Sequence, residues 1–142
     1  MKKKALLFLV GLLIGASLVA CARSRSIEHY DRGNMFRQQG QLDLAIEEYT
    51  EAIALFPQAV EPYNNRGLTY RIKGDLDRAI ADYDQAIAFD PQNVLAYFGR
   101  GLIYAKTGKL VEAVSDLERA IDLGLDAENK QVAEETLEGL RQ

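Results

Sequence analysis

Tryptophan is absent, and cysteine and histidine occur once each, as Cys21 and His29. A lone cysteine cannot close a disulfide within one molecule, and one Cys with one His falls short of a protein-built zinc site. A single His also leaves little room for Ser-His-Asp or Cys-His chemistry. No residue constellation suggests an enzyme, and neither a metal nor a cofactor is expected. Acidic residues are missing from the start of the chain, where none precedes Glu28, while Lys2, Lys3 and Lys4 stand at the very front. Setting those three lysines aside moves the net charge from -4 to -7 over residues 21–142. So acidic a body argues against nucleic acid as a partner, because that affinity comes mainly from neutralising phosphates. At 142 residues and 48% hydrophobic, the chain supports one modest domain.

After the basic start, Ala5 to Ala20 is a run without a charge. It is shorter than the roughly 20 apolar residues of a spanning helix and is interrupted by Gly11, Gly15 and Ser17. A basic n-region before a short apolar h-region is the pattern of an export signal; an uncleaved membrane anchor is the alternative. The run ends Leu18-Val19-Ala20-Cys21, which resembles the lipobox of bacterial lipoproteins. That resemblance implies a thioether-linked diacylglycerol on Cys21, further acylation such as palmitate, and cleavage behind Ala20. Residues 1–20 are then the signal peptide, residues 21–25 a lipidated N-terminus and short tether. The expected location is the exported side of the bacterial cell membrane or outer membrane. Ala20-Cys21-Ala22 also reads as an ordinary A-x-A cleavage site, which would give a soluble secreted protein.

The rest of the chain repeats itself. Shifted by 34 residues, Gly33, Gly67 and Gly101 align, as do Gly40, Gly74 and Gly108. So do Ala45, Ala79 and Ala113; Ala52, Ala86 and Ala120; and Ile53, Ile87 and Ile121. Phe36, Tyr70 and Tyr104 share an aromatic place, Tyr49 and Tyr83 another, and Pro57 and Pro91 close the first two units. Within a unit, Tyr63, Gly67 and Tyr70 make one stripe of a first helix. Leu76, Ala79, Ile80, Tyr83, Ala86 and Ile87 stripe a second helix, which Pro91 ends.

This pattern resembles the tetratricopeptide repeat (TPR). The resemblance implies an all-α fold: three helix-turn-helix repeats at 26–59, 60–93 and 94–127, stacked as a right-handed α-solenoid. The signal helix precedes them, and a capping helix at 128–142 presents Val132, Ala133, Thr136, Leu137 and Leu140 to the last repeat. The third repeat has Leu117 and Leu125 where Tyr and Pro are usual; Gly124 is expected to supply a left-handed cap there.

Three arginines recur where Leu is common in the family: Arg32, Arg66 and Arg100. Each precedes an acid by sixteen residues, Glu48, Asp82 and Asp116. Antiparallel helices would set each pair side by side, as an intra-repeat salt bridge rather than an anion-binding ladder. Other second-helix acids, Glu47, Glu51, Asp84 and Glu118, read together with these as a solvated outer face, and His29 as a partly packed helix residue.

The opposite face of the first helices carries Tyr30, Asn34, Arg37 and Gln38, then Asn64, Leu68, Arg71 and Ile72, then Phe98, Leu102 and Lys106. The resemblance marks this face as a peptide-binding groove, polar at one end and apolar at the other. Asn34 and Asn65 occupy the asparagine places of the carboxylate clamp that some members use, but Tyr30, Leu95 and Gly99 stand where its cations belong. The expectation is a membrane-anchored scaffold for a protein or peptide partner. A self-associating structural component, meeting its own copies through Leu95, Phe98 and Leu102, is the alternative.

Overall fold

The computed structural model describes the backbone of residues 2–141 and the side chains of residues 15 and 17–141. Among the described residues seven helices follow one another: α1 (Lys2–Gln38), α2 (Leu42–Leu55), α3 (Val60–Lys73), α4 (Leu76–Phe89), α5 (Val94–Thr107), α6 (Leu110–Asp122) and α7 (Ala127–Leu140). Among the described residues there is no strand. The leader read at residues 1–20 lies for the most part outside the described side chains. Among the described residues no helix is long and apolar enough to cross a membrane.

The helices pack as pairs, α1 with α2, α3 with α4 and α5 with α6; each second helix then packs on the next first helix, and α7 lies on α5 and α6. Among the described residues of α1, Ser26 is the first buried one, and its Oγ donates to the Ala52 carbonyl at 2.8 Å. Residues 21–25, expected to be a tether, instead continue α1 without a break. None of Ala22, Arg23, Ser24 and Arg25 opposes a helix, and the Arg23 guanidinium lies 5.8 Å from the Phe56 ring centre.

Local chemistry sets the helix ends. Gly74 closes α3 with φ 84°, and its equivalents Gly40 and Gly108 have φ 73° and 78°. At Gly74 this left-handed turn lets the Gly74 N–H reach the Arg71 carbonyl and the Asp75 N–H reach the Tyr70 carbonyl. The next helices start on side-chain caps where the residue allows: Asp75 accepts from the Arg78 N–H and Asn93 from the Ala96 N–H. Gly124, with φ 100°, ends the third pair where a proline is missing, and Leu125 N–H closes on the Ala120 carbonyl.

Inside each pair a large side chain from the second helix lies against a glycine of the first. Tyr49, Tyr83 and Leu117 hold this place, all buried. A Cβ at Gly33 would stand 2.5 Å from the Tyr49 ring, at Gly101 2.9 Å from Leu117, and at Gly67 3.2 Å from Tyr83. The alanines Ala45, Ala79, Ala113, Ala52, Ala86 and Ala120 are fully buried, which lets the helices close on one another. At the C-terminal end, Ala133 and Leu137 of α7 join Leu117, Ala120 and Leu125 in one cluster. Val132, expected on that face, is instead exposed. It precedes Ala133 by one position, about 100° around the helix from the buried line.

Candidate functional site

The groove residues come from three first helices lying side by side, and the structure treats them unequally. Tyr30, Asn34 and Arg37 on α1 are half-buried, and Gln38 is exposed. On α3, Leu68 and Arg71 are half-buried and Ile72 is exposed, but Asn64 is only 8% exposed. On α5, Lys106 is exposed, whereas Phe98 and Leu102 are half-buried against the cluster that Ala133 and Leu137 complete. The apolar end of the groove is therefore less open than the sequence pattern implies, because both side chains pack against that cluster. Leu95 remains outside, 53% exposed.

The polar end is an organised network rather than a row of free groups. The Tyr49 hydroxyl donates to Asn34 Oδ1 at 2.8 Å and accepts from Arg37 Nε at 3.4 Å. Asn65 Nδ2 donates to the same Asn34 oxygen at 2.7 Å and to the Tyr30 hydroxyl at 3.1 Å. Burial pushes the Tyr49 phenol above its ordinary value and Arg37 pulls it back, so the ring stays neutral. This sets the pair Asn34 and Asn65 between Tyr49 and Tyr30 and joins the first two repeats across their groove side.

Two hollows flank the network. One, about 480 Å³, lies where α1 meets the α2–α3 connection, walled by Ile27, Tyr30, Phe56, Val60 and Pro62. The other, about 260 Å³, sits between α3 and α5 and is walled by Leu68, Tyr83, Leu95 and Phe98, with Asn129 of α7 at its rim.

Behind the groove, the repeated arginines bind the second helices. Arg66 donates to Asp82 through Nε at 2.9 Å and Nη2 at 2.7 Å, and Arg100 to Asp116 at 2.7 and 2.9 Å. Arg32 Nε donates to Glu48 at 3.0 Å, and His29 Nδ1 lies 2.7 Å from the same carboxylate. Asp82 and Asp116 are buried, so they do not belong to the solvated outer face where the sequence pattern set them. Burial raises the Asp82 carboxyl, and Arg66 offsets only part of that. Hydrogen bonds from Arg100 to Asp116, opposed by burial, leave the Arg100 guanidinium above its ordinary value.

One feature escaped the sequence reading altogether. Arg66 Nη1 also donates backwards to Thr50 at 2.9 Å, and Arg100 Nη1 to Asp84, each on the second helix of the preceding repeat. The signal was available, since Thr50 and Asp84 lie sixteen residues before their arginines as Asp82 and Asp116 lie sixteen after. Lys73 pairs with Asp43 across the same repeat boundary.

Stacked helix pairs that repeat every 34 residues and present first-helix side chains along one face define a helical-repeat interaction domain. A family described as "TPR repeat" matches residues 33–71 and 67–108, and one described as "Tetratricopeptide repeat" matches residues 94–123. The chain belongs to the tetratricopeptide repeat family. It is similar to the first TPR of Spaghetti (RPAP3) bound to HSP90 peptide SRMEEVD, at 26% identity and TM-score 0.78 over 84% of this chain and 96% of that one. The second TPR domain of human RPAP3, in complex with HSP70 peptide SGPTIEEVD, is 30% identical, with TM-score 0.76 over 85% and 98%. The Arabidopsis OM64 TPR domain is 28% identical, with TM-score 0.78 over 83% and 98%. Comparison with curated proteins gives no match.

Proposed function

We propose that this protein is a lipid-anchored scaffold of the bacterial envelope that holds an extended protein segment in the groove of its three repeats. The observation that carries the groove is its continuity. Tyr30, Asn34, Asn65, Leu68, Arg71 and Lys106 line one face across three first helices, and two similar solved structures hold a peptide. The places of the family's clamp cations are Tyr30, Leu95 and Gly99, so a clamp on a chain-end carboxylate is not part of this reading. Lipidation rests on Leu18-Val19-Ala20-Cys21, and the Cys21 thiol is free and exposed. Two or more acyl chains would give stable anchoring at roughly 0.8 kcal/mol per buried CH₂. Self-association draws less support, because Phe98 and Leu102 are already engaged by the cluster that α7 closes.

Two experiments test this. A photo-crosslinking residue placed in the native membrane at Gln38, Ile72 or Lys106, equivalent exposed groove places, is expected to capture a protein partner. The same residue at Glu51, Gln85 or Arg119, exposed on the second helices, is expected to capture none. Capture confined to the second-helix places refutes the groove; capture only of a second copy selects the self-associating reading. Separately, Cys21→Ala is expected to move the protein from the membrane fraction to the soluble one, and the wild-type N-terminal peptide to carry a diacylglycerol mass. A variant that stays wholly with membranes removes lipid as the anchor.

A further inference from the structure

One side of α1 lacks the helix that covers its equivalents elsewhere in the stack. On α5 that side carries Ala96 and Ile103, both buried in one core with Ala79, Tyr83 and Ala86 of α4. On α3 the same places are Pro62 and Thr69, also buried, and α2 packs on that helix. On α1 they are Glu28 and Met35, and both are exposed. Steps of three and four residues carry this line back to the lipidation site. Cys21, Ser24, Arg25, Glu28, Arg32 and Met35 stand at helical spacing and are all exposed. The anchor point is also firmly set. The helix runs unbroken through residues 21–25, the Arg23 guanidinium lies over the Phe56 ring, and Ser26 Oγ holds the Ala52 carbonyl. A lipid on Cys21 then fixes a direction as well as a distance.

Resting on the lipid-anchor reading above, we infer that the uncovered side of α1 lies along the bilayer surface, with phospholipid headgroups where a preceding repeat would pack. The charges on that side alternate: Arg25 and Arg32 offer guanidinium groups to lipid phosphates, and Glu28 and Asp31 offer carboxylates to the ammonium of ethanolamine. Arg66 and Arg100 each turn Nη1 to the unit behind, but Arg32 has no unit behind it and is 45% exposed, so its outer edge faces the headgroups. Met35, 44% exposed, adds an apolar contact at the acyl boundary. At the far end of the stack α7 carries Glu128, Glu134, Glu135 and Glu138 against Lys130 alone, a balance that an anionic leaflet pushes outward. Tyr30 and Asn34 lie more than about 120° round α1 from the uncovered line. The groove therefore opens sideways and climbs from α1 through α3 to α5. A segment held in it starts beside the headgroups at Tyr30 and ends roughly 20 Å farther out near Lys106.

The test uses the lipidated protein in vesicles of phosphatidylethanolamine and phosphatidylglycerol. With the Cys21 sulfur in a thioether, an added cysteine is the thiol free to take a fluorescent label. Met35 stands fourteen residues from Cys21, roughly 21 Å along α1, so nearness to the anchor alone does not bring it to the surface. A label at Met35→Cys is expected to be quenched by a lipid with a nitroxide headgroup, and one at Val132→Cys on α7 to be untouched. Arg25→Glu is expected to cut the Met35 quenching about fivefold, as removal of one cation from an anionic surface should, while the protein stays with the vesicles. Two alanines inserted between Cys21 and Ala22 turn the anchor about 200° off the line and are expected to abolish the Met35 signal. No quenching at Met35, or quenching that survives either change, overturns this inference and leaves the lipid anchor standing. In the native membrane a photo-crosslinker at Met35 is expected to take up lipid; capture of a protein there assigns the face to a partner helix and overturns the inference. Protein that carries no diacylglycerol mass and leaves the membrane fraction overturns the anchor and the inference together.

Discussion

Replacing Arg66 with alanine is expected to lower the melting temperature by about 10 °C and to make the remaining stability depend on pH. The substitution strips both hydrogen bonds from Asp82, a side chain with 6% of its surface exposed, and leaves the carboxylate in the interior. Breaking one side of a buried pair costs about 3 kcal/mol, and for a domain of this size each kcal/mol corresponds to roughly 3–5 °C. Burial already raises the Asp82 carboxyl above 3.8 despite Arg66, and without the guanidinium the same cause acts unopposed. A carboxyl raised on folding binds its proton more tightly in the folded chain. Its stabilising effect is therefore complete below 3.8 and is lost as pH climbs through the folded value. The stability gap between Arg66→Ala and the parent is expected to shrink as pH is lowered from 7 toward 4.5. Chemical denaturation at three pH values measures it, and a gap that widens on acidification contradicts the assignment. Replacing both partners with apolar residues, Arg66→Met with Asp82→Leu, is expected to cost less than Arg66→Ala alone, because no buried charge remains.

Gly33→Ala is expected to destabilise the protein by about 2 kcal/mol although alanine is the better helix former by ~1 kcal/mol. The new methyl would stand 2.5 Å from the Tyr49 ring, which is completely buried and whose hydroxyl is tied to Asn34 and Arg37. The ring has nowhere to go without giving up that network. Gly67→Ala meets Tyr83 at 3.2 Å, an approach a few tenths of an ångström relieves, so its helix gain nearly offsets its crowding. The three equivalent glycines should thus rank Gly33, Gly101, Gly67 in order of harm, read from urea midpoints. Equal effects at all three would mean that the glycines answer to backbone propensity and not to the facing side chain.

How much of this could be read beforehand depends on which residues carry the repeat. Gly33 with Tyr49, or Gly67 with Tyr83, recur because every pair of helices meets the same steric demand, and a demand repeated every 34 residues is visible in one dimension. Arg66 and Asp82 were legible for the same reason, through a spacing that recurs in all three units. What breaks the period was not. Asn64 occupies the same helix place as the half-buried Tyr30 and Phe98, yet it alone of the three is buried. Phe98 and Leu102 match the groove places, yet α7, which belongs to no repeat, draws them into its own cluster. The helical run through residues 21–25 was hidden because a short polar stretch reads as a linker until Phe56 is found beside Arg23.

The forked grip of Arg66 and Arg100 reaches beyond their own rungs. Because each guanidinium clasps the carboxylate in front and an oxygen of the unit behind, loss of one unit also unfastens its neighbour. A stack riveted in this way resists peeling one module at a time and gives way as a block, so force applied at either end is shared along the whole array.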